Sequence, residues 1–236
     1  MKKAMSIART GIAQMVGDPL FMVMSVGMPV MMTWIMSFLP KEMAGLASSG
    51  VIVMFLGLNI VMSATSIIEE RQLGTWGRLL SAPVTRPEII GGYLMKLFTV
   101  AWVQSAVLFV SARLLFKAPW SHLSPAAFAV LGSYILAMAG LGVLIATALR
   151  TQQQAPAVAT GISVVGTMLG GVFFPTQGNA VMEAVARVSP QGWAARGLNS
   201  VMAEGASFVS VQTPVFWMLG FGLAFLALGL TRVKYE

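Results

Sequence analysis

Residues 69–88, EERQLGTWGRLLSAPVTRPE, are the one long charged interruption in a chain that is otherwise almost entirely apolar. Six of these residues carry charge, three of each sign. Uncharged runs extend from Met43 to Ile68 before the segment and, beyond a single Lys96, from Leu97 to Ala112 after it. A water-exposed segment between two membrane-length segments is a place where a membrane protein can touch a soluble partner.

The overall composition places the chain among integral membrane proteins. Of its 236 residues, 57% are hydrophobic and 10% charged, and the mean hydropathy is +0.80, whereas soluble domains carry about 25% charged residues. There is no cysteine and one histidine, His122, so neither a disulfide framework nor a metal site is expected. The net charge of +7 comes from basic residues scattered between apolar runs, which indicates membrane topology rather than a nucleic-acid partner.

The first 17 residues are predicted to form an amphipathic helix. One face carries apolar side chains at helical spacing, and three basic residues favour an anionic membrane surface. The apolar residues are Met5, Ala8, Ile12 and Met15, and the basic residues are Lys2, Lys3 and Arg9. A frayed cytoplasmic tail is the alternative. Gly17-Asp18-Pro19 then turns the chain into the bilayer. A cleaved signal peptide is not expected, because the apolar run is interrupted and no small-residue cleavage site closes it, so the segment is predicted to be retained.

Six apolar runs are each long enough to cross a membrane, which takes roughly 20 residues. They are Leu20–Leu39, Leu46–Ile68, Ile89–Leu115, Pro125–Leu149, Ala155–Phe174 and Val211–Leu230. The first contains Pro29, which membrane helices tolerate. In the third, Lys96 and Arg113 lie about 25 Å apart along a helix, so their charged ends are expected to extend towards opposite surfaces. The more polar residues 175–210 predict two short helices that lie at the membrane face or re-enter it.

The distribution of basic residues predicts the orientation. With the N-terminus in the cytoplasm, ten Lys and Arg residues fall on the cytoplasmic side and five on the outer side, as expected when basic loops are retained inside. The ten are Lys2, Lys3, Arg9, Arg71, Arg78, Arg86, Lys96, Arg150, Arg232 and Lys234, and the five are Lys41, Arg113, Lys117, Arg187 and Arg196. Both termini and residues 69–88 are therefore expected to be cytoplasmic.

What the chain lacks excludes several kinds of chemistry. No G-x-x-x-x-G-K-S/T phosphate-binding motif occurs, so the chain is not expected to be an enzyme, and any ATP hydrolysis must come from another polypeptide. A membrane protease built on Glu69 and Glu70 or on a metal would need more histidines. No Asp or Glu lies within the six predicted spans, which argues against proton-driven transport.

Two of the predicted spans carry small polar side chains along one helical face. They are Asn59, Ser63 and Ser66 in the second span and Thr160, Ser163 and Thr167 in the fifth. Such faces can line a route for a substrate, or they can pack helices together through small polar residues. The 18 methionines suit varied apolar ligands, or they fill lipid-facing and core positions.

Residues 69–88 themselves predict a short amphipathic helix, a break and a second helix. The apolar face of the first consists of Leu73, Trp76, Leu79 and Leu80. Pro83 ends it, and Thr85 and Glu88 have the spacing of a capping box with a proline in the first turn, which starts the third span. The residues alone leave two interpretations open, namely a helix that lies on cytoplasmic lipid and a docking element for a soluble subunit.

A family resemblance favours the docking element. The run Glu70-Arg71-x-x-Gly74-Thr75-x-x-x-Leu79-Leu80-x-x-Pro83-Val84-x-Arg86 resembles the signature after the second span of ABC-2 type permeases, the membrane subunits of many ABC exporters. The run Gly170-Gly171-Val172-Phe173-Phe174-Pro175, followed by Ser189-Pro190-x-x-Trp193, resembles the family's segment after the fifth span. In the family, a short helical hairpin dips there from the outer side. The resemblance covers essentially the whole chain. Because the loops of this chain are short, it does not resemble family members with large outer domains.

The resemblance implies an all-α integral membrane fold, with residues 1–236 as a single ABC-2 type transmembrane domain. It comprises six transmembrane helices, an N-terminal amphipathic interfacial helix at 1–17, a cytoplasmic coupling helix within 69–88, and a short outer re-entrant helical hairpin at 175–210 between spans five and six. The residues that would dock the coupling helix into an ATP-binding subunit are Glu70, Arg71, Leu73, Gly74, Thr75, Trp76, Arg78, Leu80 and Pro83.

The function implied by the resemblance is that of a permease in an ATP-driven exporter of the plasma membrane. Two copies, or one copy and a related permease, would pair with two ATP-binding subunits, and the second and fifth spans would flank the substrate route. Because the family includes daunorubicin-resistance, lipid and polysaccharide exporters, a drug, lipid or glycolipid is the expected substrate class. The chain would bind no cofactor, since ATP and Mg²⁺ belong to the partner. The alternative is a non-transporting membrane scaffold or assembly factor with a lipid-bound surface helix.

Overall fold

The computed structural model describes residues 2–72, 86–116, 124–149, 154–173, 180–203 and 207–232. Every regular element within these ranges is helical. The helices are α1 (Lys2–Gly17), α2 (Pro19–Met36, with a π-helical segment at Val23–Gly27), α3 (Lys41–Gln72), α4 (Arg86–Phe116), α5 (Pro125–Ala148), α6 (Gln154–Leu169), α7 (Ala180–Val188), α8 (Pro190–Ala203) and α9 (Phe208–Arg232). Among the described residues, five helices are long and apolar enough to cross a membrane, namely α2 to α5 and α9. The predicted all-α membrane character is therefore confirmed.

The break between α1 and α2 lies at the predicted Gly17-Asp18-Pro19. Asp18 caps α2, because its Oδ1 accepts hydrogen bonds from the amide of Leu20 at 2.9 Å and from that of Phe21 at 3.3 Å. Pro19 occupies the first turn, where a missing N–H leaves no hydrogen bond unmade. A cap of this kind typically stabilises a helix by about 1 kcal/mol, so the first span begins at a defined residue.

A single proline explains the irregular middle of α2. Pro29 has no N–H to donate to the carbonyl of Ser25 four residues earlier, and its ring crowds that carbonyl. The helix accordingly widens into a π-helical turn at Val23–Gly27. The Ser25 carbonyl instead accepts a hydrogen bond from Nε2 of Gln104 in α4 at 2.9 Å, and both residues are buried. The proline thereby creates the acceptor that fastens α2 to α4.

Gln104→Leu is expected to lower the free energy of unfolding by about 1–3 kcal/mol, because the buried Ser25 carbonyl loses its donor. Pro29→Ala supplies an N–H that can satisfy this carbonyl within an ordinary α-helix. In the Pro29→Ala background, the same Gln104→Leu change should therefore cost markedly less. Thermal unfolding of the four proteins in one detergent measures the coupling. Equal costs in the two backgrounds would contradict the assigned hydrogen bond.

α5 is the central helix of the bundle. Ser124 caps its start by accepting a hydrogen bond from the amide of Ala127 at 3.2 Å, and 15 of the 24 residues of the helix are buried. Gly140 faces α9 so closely that a Cβ on it would lie 2.7 Å from the carbonyl oxygen of Gly222. Membrane helices associate through close packing of small residues because lipid tails are as apolar as the side chains. The α5–α9 interface has this character.

Tyr134 joins α5 to α3. Its hydroxyl donates a hydrogen bond to the carbonyl oxygen of Val53 at 2.8 Å, and it fits there because Gly57 has no Cβ to collide with it. Further along both helices, Gly142 packs on Ala64. Since the residue numbers rise together along the interface, α3 and α5 run parallel, as the second and fourth predicted spans of one chain should.

Lys96, which was expected to extend towards a membrane surface, is covered by α1, the helix predicted to lie at that surface. The residue is 8% exposed, and a Cβ on Gly11 of α1 would lie 2.6 Å from its Cδ. Its Nζ lies 6.0 Å from the ring centroid of Tyr93. Because Gly11 has no side chain, α1 approaches α4 closely enough to cover the lysine. Arg113, near the other end of α4, is exposed as expected.

The fifth predicted span, Ala155–Phe174, is shorter than its apolar composition suggested. α6 has 16 residues and ends at Leu169, because two glycines follow and Gly171 adopts a φ of 69°, a left-handed conformation that favours glycine. At 1.5 Å per residue, a helix of this length rises about 24 Å, less than the roughly 30 Å of a bilayer's hydrocarbon core. The predicted count of six membrane-length helices is therefore not reached within the described residues.

The two short helices α7 and α8 follow in the more polar region. α8 runs antiparallel to α9, because Gly197 lies against Pro214 and Trp193 stacks on Trp217. The start of α8 therefore lies well along α9 rather than near its first residue. The corner between α7 and α8, at Ser189, is buried against α6.

Candidate functional site

The predicted docking residues lie where the chain is described only in part. α3 continues as one helix to Gln72 and so includes Glu70 and Arg71, while α4 begins at Arg86. The other predicted docking residues lie outside the described ranges, and they are Leu73, Gly74, Thr75, Trp76, Arg78, Leu80 and Pro83. The segment joins the ends of two membrane-length helices, and its docking role stays a prediction.

The predicted polar face of α3 is represented by Asn59 and Ser63. Asn59 is 9% exposed, and its Nδ2 has no hydrogen-bond partner among the described residues. Ser63, one turn further on, is half-buried, and the side chain of Ser66 lies outside the described part of the chain. An unpaired buried amide is costly, so Asn59 marks a place where a polar group from outside this chain could be accommodated.

Of the predicted polar face of α6, two residues are buried and one is exposed. Ser163 is 1% exposed, and among the described residues its hydroxyl has no partner. Thr167 is also buried and donates a hydrogen bond to the carbonyl oxygen of Ser163 at 2.7 Å. Thr160 is exposed. The structure therefore keeps Ser163 and Thr167 on the inner side of α6 and places Thr160 outside.

The helix register brings Asn59 and Ser163 to a similar level. The start of α6 packs on the end of α5 through Ala155 and Ala146, and the chain beyond α6 meets α3 where Phe173 covers Gly50. Because α3 and α5 are parallel, α6 runs antiparallel to α3. Nine residues separate Gly50 from Asn59 and ten separate Phe173 from Ser163. The two unpaired groups therefore lie at about the same depth on helices that pack together.

The corner between α7 and α8 is held on α6 by polar contacts. The Ser189 hydroxyl lies 3.2 Å from the Gly166 carbonyl oxygen and 2.9 Å from Oε1 of Gln191, and it accepts a hydrogen bond from the amide of Gly192 at 3.3 Å. A Cβ on Gly192 would collide with the carbonyl oxygen of Ala186. These contacts join the end of the short α6 to the two short helices.

The sequence analysis did not identify the contact between Gln191 of α8 and Gly166 of α6. Gln191 is 2% exposed and packs on Gly166, where a Cβ would lie 2.8 Å from its Nε2. The signal that could have found the contact is the spacing of Gly166 and Gly170, four residues apart, a small-residue pattern that lets backbones approach. Within the part of the chain that the structure describes, no group of three or more His, Cys, Asp or Glu side chains could hold a metal ion.

A family model described as ABC-2 type transporter matches residues 3–203. This range contains the docking segment, both polar faces and the α7–α8 corner. The chain belongs to the ABC-2 type transporter family. The resemblance seen in the two sequence motifs is thereby confirmed, and the family together with the apolar helices identifies a multi-pass membrane protein.

Two relatives of this ABC-2 family chain carry more specific names. The linearmycin resistance permease protein LnrN of Bacillus subtilis is 34% identical over 189 residues, which are 79% of this chain and 49% of that protein. The probable multidrug ABC transporter permease YbhS of Escherichia coli is 24% identical over 179 residues, which are 75% of this chain and 47% of that protein. The chain thus spans about half the length of the curated relatives it matches.

Proposed function

We propose that the chain is the membrane-spanning permease subunit of an ATP-driven ABC exporter. The observation that carries the proposal is the family match over residues 3–203, in a chain with membrane-length helices and no phosphate-binding motif of its own. ATP and Mg²⁺ would be bound by a separate ATP-binding subunit. The names of the relatives, a resistance permease and a multidrug permease, favour an apolar or amphipathic substrate of the drug, lipid or glycolipid class.

The proposed topology has six spans with both termini in the cytoplasm of the plasma membrane. The ten-to-five excess of basic residues supports this orientation. α6 would be the fifth span. With a rise of about 24 Å, α6 is too short to span the hydrocarbon core of the bilayer. The buried corner at Ser189 packs against the end of α6. This packing supports α7 and α8 as an outer hairpin that re-enters the membrane and completes the short span.

Residues 69–88 would form the coupling segment. With the proposed orientation, the end of α3 and the start of α4 face the cytoplasm, so the segment between them is available to a soluble subunit. ATP-driven closure of two ATP-binding subunits would push two such segments. Because α3 continues as one helix from the segment to Asn59, a displacement at Gln72 would be transmitted into the membrane.

The substrate route would lie along α3 and α6 where two copies of the chain meet. Asn59 and Ser163 are buried within one chain at about the same depth, and each supplies a polar group that has no hydrogen-bond partner among the described residues. The outer side of α6 exposes Ile162, Val165 and Met168 at 40%, 53% and 47%, an apolar surface that a second copy could cover. A mostly apolar cavity with few polar groups suits amphipathic molecules of differing shape.

Asn59→Leu is expected to weaken substrate stimulation of ATP hydrolysis by about tenfold for substrates with hydrogen-bonding groups, because a bound polar atom would lose its partner. Stability should change little, since Nδ2 forms no hydrogen bond within the described protein. Ser133→Ala is the matched control, because that buried hydroxyl bonds to carbonyls of its own helix. The half-maximal substrate concentration of each variant and its unfolding temperature are the measurements. An unchanged substrate dependence in Asn59→Leu would remove this residue from the route.

Purification of the tagged chain from its native host tests the assembly. The expected result is a complex with a protein that carries a phosphate-binding motif and hydrolyses ATP faster when an exported molecule is added. The copy number of each chain in the complex, from its mass, tests the proposed pairing of two permeases with two ATP-binding subunits. A chain that is recovered without such a protein, and that functions in membrane assembly, would instead fit the scaffold alternative.

A further inference from the structure

Four aromatic rings form a continuous column along α8 and α9. Trp193 stacks on Trp217 with ring centroids 5.8 Å apart and planes inclined by 14°. Phe221 follows at 6.2 Å and Phe225 at a further 5.9 Å. The last three residues recur every four positions, so they share one face of α9 and extend along the helix axis. We call Trp193, Trp217, Phe221 and Phe225 the aromatic column.

The column lies at the outside of the described bundle. Trp217 is 48% exposed and the other three rings are half-buried. From Trp217 to Phe225, eight residues of helix rise about 12 Å, and Trp193 lengthens the column further. One leaflet of the hydrocarbon core is about 15 Å thick. A partly exposed apolar column of this length matches the length of a single acyl chain in one leaflet.

A cation lies at one end of the column. The Arg196 guanidinium carbon is 4.9 Å from the centroid of the Trp193 ring, and the Trp193 indole N–H donates to the carbonyl oxygen of Arg187 at 2.7 Å, which fixes the ring. Arg187 has its own partner, since its guanidinium lies 3.9 Å from the Glu183 carboxylate. Among the residues that the structure describes, no carboxylate pairs with Arg196. A guanidinium stacked on an aromatic face keeps its N–H groups free at its edge.

The position of Arg196 explains why it needs an anion. Its neighbour Gly197 lies against Pro214, six residues into α9 and so about 9 Å from the start of that helix. In the proposed topology, a position this far along the spanning helix α9 lies below the outer membrane surface, where an arginine is costly unless it is paired or reaches a headgroup. A phosphate forms strong charge-assisted hydrogen bonds with a guanidinium.

We propose that the aromatic column and Arg196 form a binding site for one anionic phospholipid, with the headgroup phosphate on Arg196 and an acyl chain along Trp217, Phe221 and Phe225. The charge at one end and the apolar length of the column together define this amphipathic occupant. The site lies on α8 and α9, away from the proposed substrate route on α3 and α6. It does not depend on the proposed transport function.

Native mass spectrometry of the purified chain tests this site with two probes of equal acyl chains, phosphatidylglycerol and phosphatidylcholine. The wild-type chain is expected to retain phosphatidylglycerol preferentially. Arg196→Gln should weaken retention of phosphatidylglycerol about tenfold, since the charged partner is lost. Trp217→Ala should weaken retention of both lipids, since it interrupts the column.

Two matched variants separate the site from general lipid binding. Arg113→Gln removes another described arginine that is exposed, and Trp34→Ala removes a tryptophan that is 52% exposed and pairs with one ring, Phe38, at 5.3 Å. Both should retain phosphatidylglycerol as the wild type does. Unfolding temperatures of all variants identify any loss that comes from misfolding, and Arg196→Lys should restore part of the retention if Arg196→Gln loses it. Equal retention of the two lipids by the wild type, or equal losses in Arg196→Gln and Arg113→Gln, would overturn the proposal.

Discussion

Arg78→Glu in the proposed coupling segment is expected to lower transport-coupled ATP hydrolysis at least about tenfold, while the purified chain keeps its unfolding temperature. We propose that Arg78 pairs with acidic residues of an ATP-binding subunit, so reversing its charge would place like charges together at the interface. Trp76→Ala should have a comparable effect, because buried tryptophans often dominate the energy of interfaces. The measurements are copurification with the ATP-binding protein and the ATP hydrolysis of the complex.

Arg113→Glu is the charge-matched control for this prediction. Arg113 is exposed near the opposite end of α4, which the proposed topology places on the outer side. Its reversal should leave both copurification and ATP hydrolysis unchanged. If Arg78→Glu copurifies with the ATP-binding protein and hydrolyses ATP as the wild type does, the docking role of residues 69–88 is wrong, whatever the outcome for the route along α3 and α6.

Gly192→Ala is expected to lower the free energy of unfolding by about 3 kcal/mol, at the upper end of overpacking effects, and to abolish transport. A Cβ at this position would collide with the Ala186 carbonyl oxygen and lie 3.0 Å from the Gly170 carbonyl oxygen. Both obstacles are backbone atoms, so no side chain can rotate away. The α7–α8 corner would then have to open and also shift on the end of α6, which exposes the end of a helix too short to cross the bilayer.

The same substitution at an open position is the control. At Gly220 in α9, a Cβ would have no neighbouring atom within 4 Å among the described residues, so alanine fits there. Because alanine favours helix by about 1 kcal/mol over glycine, Gly220→Ala should be neutral or slightly stabilising. A Gly192→Ala protein that unfolds at the wild-type temperature would show that the corner does not hold α7 and α8 on α6.

Much of the fold could be predicted because long, uninterrupted apolar runs indicate membrane helices. The boundaries at Asp18 and Pro125 follow from local capping chemistry that needs no tertiary information. The extent of α6 could not be predicted from composition, since Leu169 to Phe173 remains apolar and the helix ends through the backbone conformation at Gly171. An apolar run shows that a segment can face lipid or the protein core. It does not show where the helix ends, which for α6 depends on an individual glycine.

Contacts between helices could not be predicted from the sequence. Helical spacing placed Asn59 on one predicted polar face and Ser163 on another, but their common depth depends on the contact of Gly50 with Phe173. The burial of Lys96 likewise could not be predicted, because nothing in the sequence places Gly11 over it. A helical period gives the direction of a side chain around one helix, and it does not give the register of that helix against another.

ATP-dependent movement of substrate across a sealed membrane is the most direct test of the central claim, that this chain is a permease driven by a separate ATP-binding subunit. The chain and its copurified ATP-binding protein would be reconstituted into vesicles with a panel of apolar drugs and labelled lipids. The account predicts that at least one class accumulates inside inverted vesicles with ATP, and that omission of the chain or Arg78→Glu abolishes the accumulation. Equal movement without ATP or without the chain would contradict it.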